Sequence, residues 1–190
     1  MNTKMIEILN QIFLYLKQGK LILYPTDTVW GIGCDATNEE AVKKIFNIKQ
    51  RNESKSLIIL VDSLEMLKQY VDELPDIMLE ILEKFHKPTT VIYKNPKGLA
   101  KNLIANDNTV AIRIVQDKFC KELIHQLRKP IVSTSANISG KPTPKFFKEI
   151  EPSILDAVDY VVNLRQNEIT NSPSAIVKID DNGELRFIRE

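Results

Sequence analysis

Apolar residues recur at helical spacing near the start of the chain, at Met5, Leu9, Ile12 and Leu16, with Ile6 and Phe13 beside them. The spacing predicts an amphipathic helix that Gly19 stops. Leu21–Tyr24 reads as a short buried strand ended by Pro25. Thr37 and Glu40 have capping-box spacing ahead of Ala41, Val42, Ile45 and Phe46, which predicts a helix from about Asn38 towards Lys49. Leu57–Val61 is a second strand-length apolar run, and Asp62 and Glu65 mark another helix start. Pro75 opens a helix carrying Ile77, Met78, Ile81, Leu82 and Phe85. Thr89–Tyr93 reads as a strand, and Lys94–Asn108 as a loop with Pro96 and Gly98 inside it. Val110–Val115 is a strand and Asp117–Leu127 a helix. Ile131–Ser133 is a strand running into a serine-rich turn. Val158–Leu164 and Ser174–Ile179 are further strands. Asp181-Asn182-Gly183 forms a hairpin turn to Leu185–Ile188.

Helices and strands mingle, yet a hairpin closes the chain. The pattern predicts an α/β fold with a twisted mixed sheet and flanking helices. At 190 residues the default is one domain over 1–190. Hydrophobic residues make up 43% of the chain, which argues against disorder, and the formal net charge of +1 advertises no polyanion partner. Any affinity for phosphate must come from a local cluster. Cys34 and Cys120 have no metal or redox spacing, and read as reduced thiols. No signal core and no apolar run of membrane-spanning length is present, so the expectation is a cytoplasmic protein with no membrane partner.

Between Lys43 and Lys55 lie five cations, Lys43, Lys44, Lys49, Arg51 and Lys55, with Glu53 the only acid. Lys43 and Lys44 fit a solvated helix face. Lys49 and Arg51 sit where the helix ends. Either they complement the helix dipole, or, on an extended exit, they point the same way and address one phosphate. Thr26, Asp27 and Thr28 place short hydrogen-bonding groups at a strand end, where open α/β sheets favour ligands; an ordinary turn is the other reading. Ser133-Thr134-Ser135-Ala136-Asn137-Ile138-Ser139-Gly140 follows an apolar strand. It can hold phosphate oxygens or a base edge, or simply form a cap or Asx turn. Arg113 lies inside an otherwise apolar strand and needs either an ion-pair partner or a ligand carboxylate. Walker, dinucleotide and nucleophile-elbow motifs are absent. Trp30 reads as core, and His125 as a surface residue.

Taken in order, YPTDTVWGIG, the Lys49-Gln50-Arg51 triplet, VAIRI, STSANISG with Pro142-Thr143-Pro144, and Ser172-Pro173-Ser174-Ala175-Ile176-Val177 resemble the YrdC-like family of threonylcarbamoyl-AMP synthases. The resemblance runs from Leu21 to Arg189. It is to the short form, without the extra carboxy-terminal domain. The sequence departs from the family at Asn52 and Ser56, where many members carry proline, and at His86-Lys87-Pro88-Thr89, where Pro-Gly-Pro is common.

The resemblance implies a YrdC-like fold with a central positively charged cavity. It implies that L-threonine, bicarbonate and ATP give threonylcarbamoyl-AMP and pyrophosphate. A downstream transferase then passes the group to an adenosine of tRNA, and tRNA itself is a further candidate partner. ATP is a substrate, and Mg²⁺ is expected on the triphosphate, with no metal held by protein residues. By the same resemblance, Lys49 and Arg51 contact the phosphates and reacting group. Thr26 or Thr28, Arg113, Ser133 and Ser174 surround threonine. Ser135, Asn137, Lys55, Thr109, Thr143 and Arg189 complete the nucleotide contacts. The alternative is a catalytically divergent RNA-binding or accessory protein on the same fold. It has the Lys43–Lys55 cluster in its favour, and the low net charge and lack of aromatic-basic interleaving against it.

Overall fold

Helix α1 (Thr3–Lys17) buries Leu9, Ile12 and Leu16, the stripe that its spacing predicts. The computed structural model describes residues 3–50, 57–72, 74, 87–180 and 184–190. Helix α2 (Glu39–Lys49) buries Ala41, Val42, Ile45 and Phe46. Its cap is Asn38, whose side chain accepts from the Ala41 amide, and not the expected Thr37. The Thr37 hydroxyl is drawn off by Asp35 at 2.7 Å. Helix α2 ends because Gln50 turns into the left-handed region at φ 49° and ψ 43°. Helices α3 (Leu64–Tyr70) and α4 (Lys118–Leu127) are capped by Ser63 and Asp117. A short helix, α5 (Pro152–Leu155), was not legible in the pattern.

The described strands are β1 (Ile22–Tyr24), β2 (Gly31–Gly33), β3 (Ile58–Val61), β4 (Thr89–Lys94), β5 (Thr109–Ile114), β6 (Ile131–Ser135), β7 (Tyr160–Val161), β8 (Ala175–Ile179) and β9 (Leu185–Arg189). They form one sheet in the order β7-β1-β2-β6-β3-β5-β4-β8-β9. Three pairs are parallel (β1/β7, β3/β5, β4/β8) and the other five antiparallel, so the sheet is mixed as expected. Antiparallel pairing of β8 with β9 fits a hairpin, although its turn lies outside the described residues, as does the helix expected after Pro75.

Strand β2 is the main element that the sequence pattern does not mark. Its glycines permit close approach. A Cβ on Gly33 would lie 2.6 Å from the Tyr24 ring and 2.7 Å from the Val132 carbonyl oxygen. Strand β6 runs two residues further than its apolar stretch, to Ser135, while the expected Val158–Leu164 strand is reduced to β7. Trp30 is core, 2% exposed and packed on Phe147 at 4.9 Å between ring centres. Among the described residues, no helix is long and apolar enough to cross a membrane.

Candidate active site

Side chains on alternate strand residues share a face, and directly paired residues lie on the same side of a sheet. The register pairs Gly31 with Ser135, Ile58 with both Ser133 and Ala111, and Leu60 with Arg113. It pairs Ala111 with Ile92, Thr90 with Ile176, and Ile176 with Arg189. One face therefore carries Ser133, Ser135, Arg113, Thr90 and Arg189, drawn from four strands. A cleft of about 150 Å³ opens there, lined by Thr28, Arg113, Ser133, Thr134, Ser135, Thr143, Ser174 and Arg189 together with Val29, Leu57, Ile58, Pro173 and Ile176.

Arg113 is 3% exposed. Its Nη2 lies 3.0 Å from Asp27 Oδ1, and its Nη1 donates to Thr28 Oγ1 at 3.3 Å. The ion-pair reading of this arginine is thus realised, and the residue also lines the cleft. Thr28 is held in turn by Thr26, whose hydroxyl lies 2.9 Å from the Thr28 hydroxyl, accepts from the Thr28 amide and donates to the Val29 carbonyl. Thr28 is therefore the cleft residue of the pair, and Thr26 shapes the turn.

Ser174 is 2% exposed, and its hydroxyl lies 2.8 Å from that of Thr90. Arg189 closes over it. Nε and Nη2 donate to the Ser174 carbonyl at 3.0 and 2.7 Å. Partial burial, then the neighbouring Arg113, lowers the pKa of Arg189, so two guanidiniums approach the same cleft. On the far side, Tyr24 stands opposite Gly31 and donates to the Val132 carbonyl at 3.2 Å. Burial pushes its phenol well above the usual value and keeps it neutral.

Lys49, the basic residue in the last turn of α2, is 1% exposed. Its ammonium donates to the carbonyls of Ser135 and Asn137 at 2.5 and 2.7 Å, with the Asn137 side-chain oxygen at 3.4 Å. The Lys49 carbonyl accepts from the Ser139 amide at 2.9 Å. The serine-rich loop is thus folded around Lys49, and Asn137 Nδ2 donates onward to the Lys141 carbonyl. Lys49 and Asn137 brace the cleft wall from behind, whereas Ser135 lines it. Thr109, expected beside the nucleotide, sits at the opposite end of β5 from Arg113 and donates to Asp107 at 2.6 Å; it does not line the cleft. Arg51 and Lys55 lie outside the described residues. The pairing of Asp27 with Arg113 is not legible in the sequence, because no local spacing links a loop residue to a distant strand.

A twisted mixed sheet with one polar, arginine-bearing face is the architecture of a known class, and the chain belongs to the Sua5/YciO/YrdC family. That family's model, described as telomere recombination, matches residues 14–190. The chain is 36% identical over 151 residues to the threonylcarbamoyl-AMP synthase of Pseudoalteromonas translucida, covering 78% of this chain and 81% of that protein. Among solved structures, a P. abyssi Sua5 variant superposes with a TM-score of 0.87 at 26% identity, and P. abyssi Sua5 complexed with L-threonine with a TM-score of 0.81. These cover 97% and 94% of this chain. The chain spans only 56% and 52% of the P. abyssi chains.

Proposed function

We propose that the protein is a threonylcarbamoyl-AMP synthase. L-Threonine's amine joins the carbon of bicarbonate with loss of water, giving a carbamate. A carbamate oxygen then attacks the α-phosphorus of ATP, the bond to the bridging oxygen breaks, and pyrophosphate leaves. Such a reaction needs positioning and charge neutralisation rather than a protein nucleophile. Arg113 pairs with the threonine carboxylate, and Thr28, Ser133 and Ser174 supply hydroxyls around it. Ser135 and Thr143 face the nucleotide on a wall that Lys49 and Asn137 hold rigid. Arg189, Arg51 and Lys55 complete the nucleotide contacts, and Thr26 supports Thr28.

Among the described residues, no three His, Cys, Asp or Glu side chains cluster to hold a metal. Mg²⁺ would be carried on the triphosphate oxygens, where it would neutralise phosphate charge. The product passes to a transferase that modifies tRNA, and the reaction belongs in the cytoplasm.

One observation carries the reading: a nearly buried Arg113 opens, with three hydroxyl residues, onto a cleft in a chain whose fold matches a protein complexed with L-threonine. The test is to incubate the pure protein with ATP, bicarbonate and Mg²⁺, with and without threonine. Pyrophosphate and an adenylate of threonylcarbamoyl mass are expected only with threonine. Pyrophosphate release indifferent to threonine would overturn the reading.

A further inference from the structure

Asp27 stands between two hydroxyl residues, yet its carboxylate turns inward, with 14% side-chain exposure. Both carboxylate oxygens are shut off from water, and neither receives an aligned hydrogen bond. Arg113 Nη2 is 3.0 Å from Oδ1, so proximity alone holds the pair. Arg113 Nε is likewise buried without a hydrogen-bond partner, and the bond from Nη1 to Thr28 is long at 3.3 Å. A buried carboxylate in this state is costly unless a cation answers it. Asp27 is also anchored from outside: Asn171 Nδ2 donates to its carbonyl at 3.0 Å. Asn171 belongs to the same loop as Ser174, so one tie joins the turn bearing Asp27 and Thr28 to the segment bearing Ser174.

We propose that Asp27 is a positioning residue: it holds the Arg113 guanidinium against the cleft wall, oriented to take the carboxylate of the amino-acid substrate, and offsets the repulsion between Arg113 and Arg189. This deepens the synthase reading and rests on it. Two effects of the Asp27 charge oppose each other. It subtracts from the positive field that attracts a carboxylate, and it fixes where the guanidinium points. Orientation wins because Arg113 is almost wholly buried. Without Asp27, its directed partner would be Thr28 alone, and an unanswered buried cation relocates.

The experiment compares wild type, Asp27→Asn, Arg113→Lys and the double variant. Threonine and ATP binding are measured separately by calorimetry, and steady-state pyrophosphate release alongside. Asp27→Asn is expected to weaken threonine binding about tenfold and to raise the threonine KM in step, with kcat at saturating threonine and ATP affinity within about twofold. In the Arg113→Lys background the same change should cost nothing further, because its effect runs through Arg113. Threonine affinity unchanged or tightened in Asp27→Asn, or an equal loss in both backgrounds, overturns the proposal while leaving the synthase reading standing. Wild type that binds no threonine overturns both. Asp27→Ser is the second variant; if neither it nor Asp27→Asn folds, the aspartate is structural and the proposal fails.

Discussion

The Lys49 ammonium lies 2.5 Å from the Ser135 carbonyl oxygen, a contact between the last turn of α2 and the end of β6. A lysine thus serves as the core of a loop. Replacing it with methionine keeps the stem but leaves the Ser135 and Asn137 carbonyls without that donor. Each such loss costs about 1–3 kcal/mol. Denaturant unfolding of Lys49→Met should show a lower midpoint at an unchanged slope, with ATP-dependent turnover lost as the cleft wall slackens.

Arg113→Lys keeps the charge but removes the planar fork. The threonine KM should rise roughly tenfold or more, with the ATP KM little changed. Equal increases in both constants would remove threonine from the Arg113 end of the cleft.

Gly33→Ala places a methyl within 2.7 Å of a backbone oxygen that cannot move without breaking the pairing of β2 with β6. Overpacking of this kind costs about 1–3 kcal/mol. Gly140→Ala is the contrast, since a Cβ there meets no atom within 4 Å; its left-handed φ of 87° leaves only backbone strain. Thermal melts should rank Gly33→Ala as the less stable.

Cys34 and Cys120 are both free and buried, and burial lifts each thiol well above its ordinary 9.0. A pKa raised by folding contributes stability that is complete below the unfolded value and is lost as pH rises past it. Unfolding free energy should hold to about pH 8.5, then fall by up to about 1.4 kcal/mol per pH unit for each thiol. Urea titrations from about pH 8 to 10.5 measure this, and Cys34→Ala should flatten the slope. Neither thiol should react with a disulfide reagent until the chain is denatured.

Much of the fold was legible because helical and strand periods are local. The buried stripe of α1 and the strand bearing Arg113 needed no tertiary knowledge. Strand β2 escaped because its glycines carry no side chain from which to read alternation. Only the closeness of Tyr24 and Val132 explains them. Asn38 rather than Thr37 caps α2 because Asp35, itself bound by Lys129 at 2.7 Å, claims Thr37 first. The same limit governs the site. The carbonyls to which Lys49 donates come from a distant turn, and no local spacing links the two. Thr28 and Thr26 looked equivalent until their mutual hydrogen bonds sorted the cleft residue from its support.

Strand β1 is flanked by β2 on one side and β7 on the other, and β2 must wait for β6. As the chain leaves the ribosome, this amino-terminal ribbon has bare edges until residues 131–135 and 160–161 have been made. Such late closure slows folding and leaves nascent chains open to sticking to one another. A translation product stopped short of residue 131 would leave those edges unpaired, an aggregation hazard rather than a half-working enzyme.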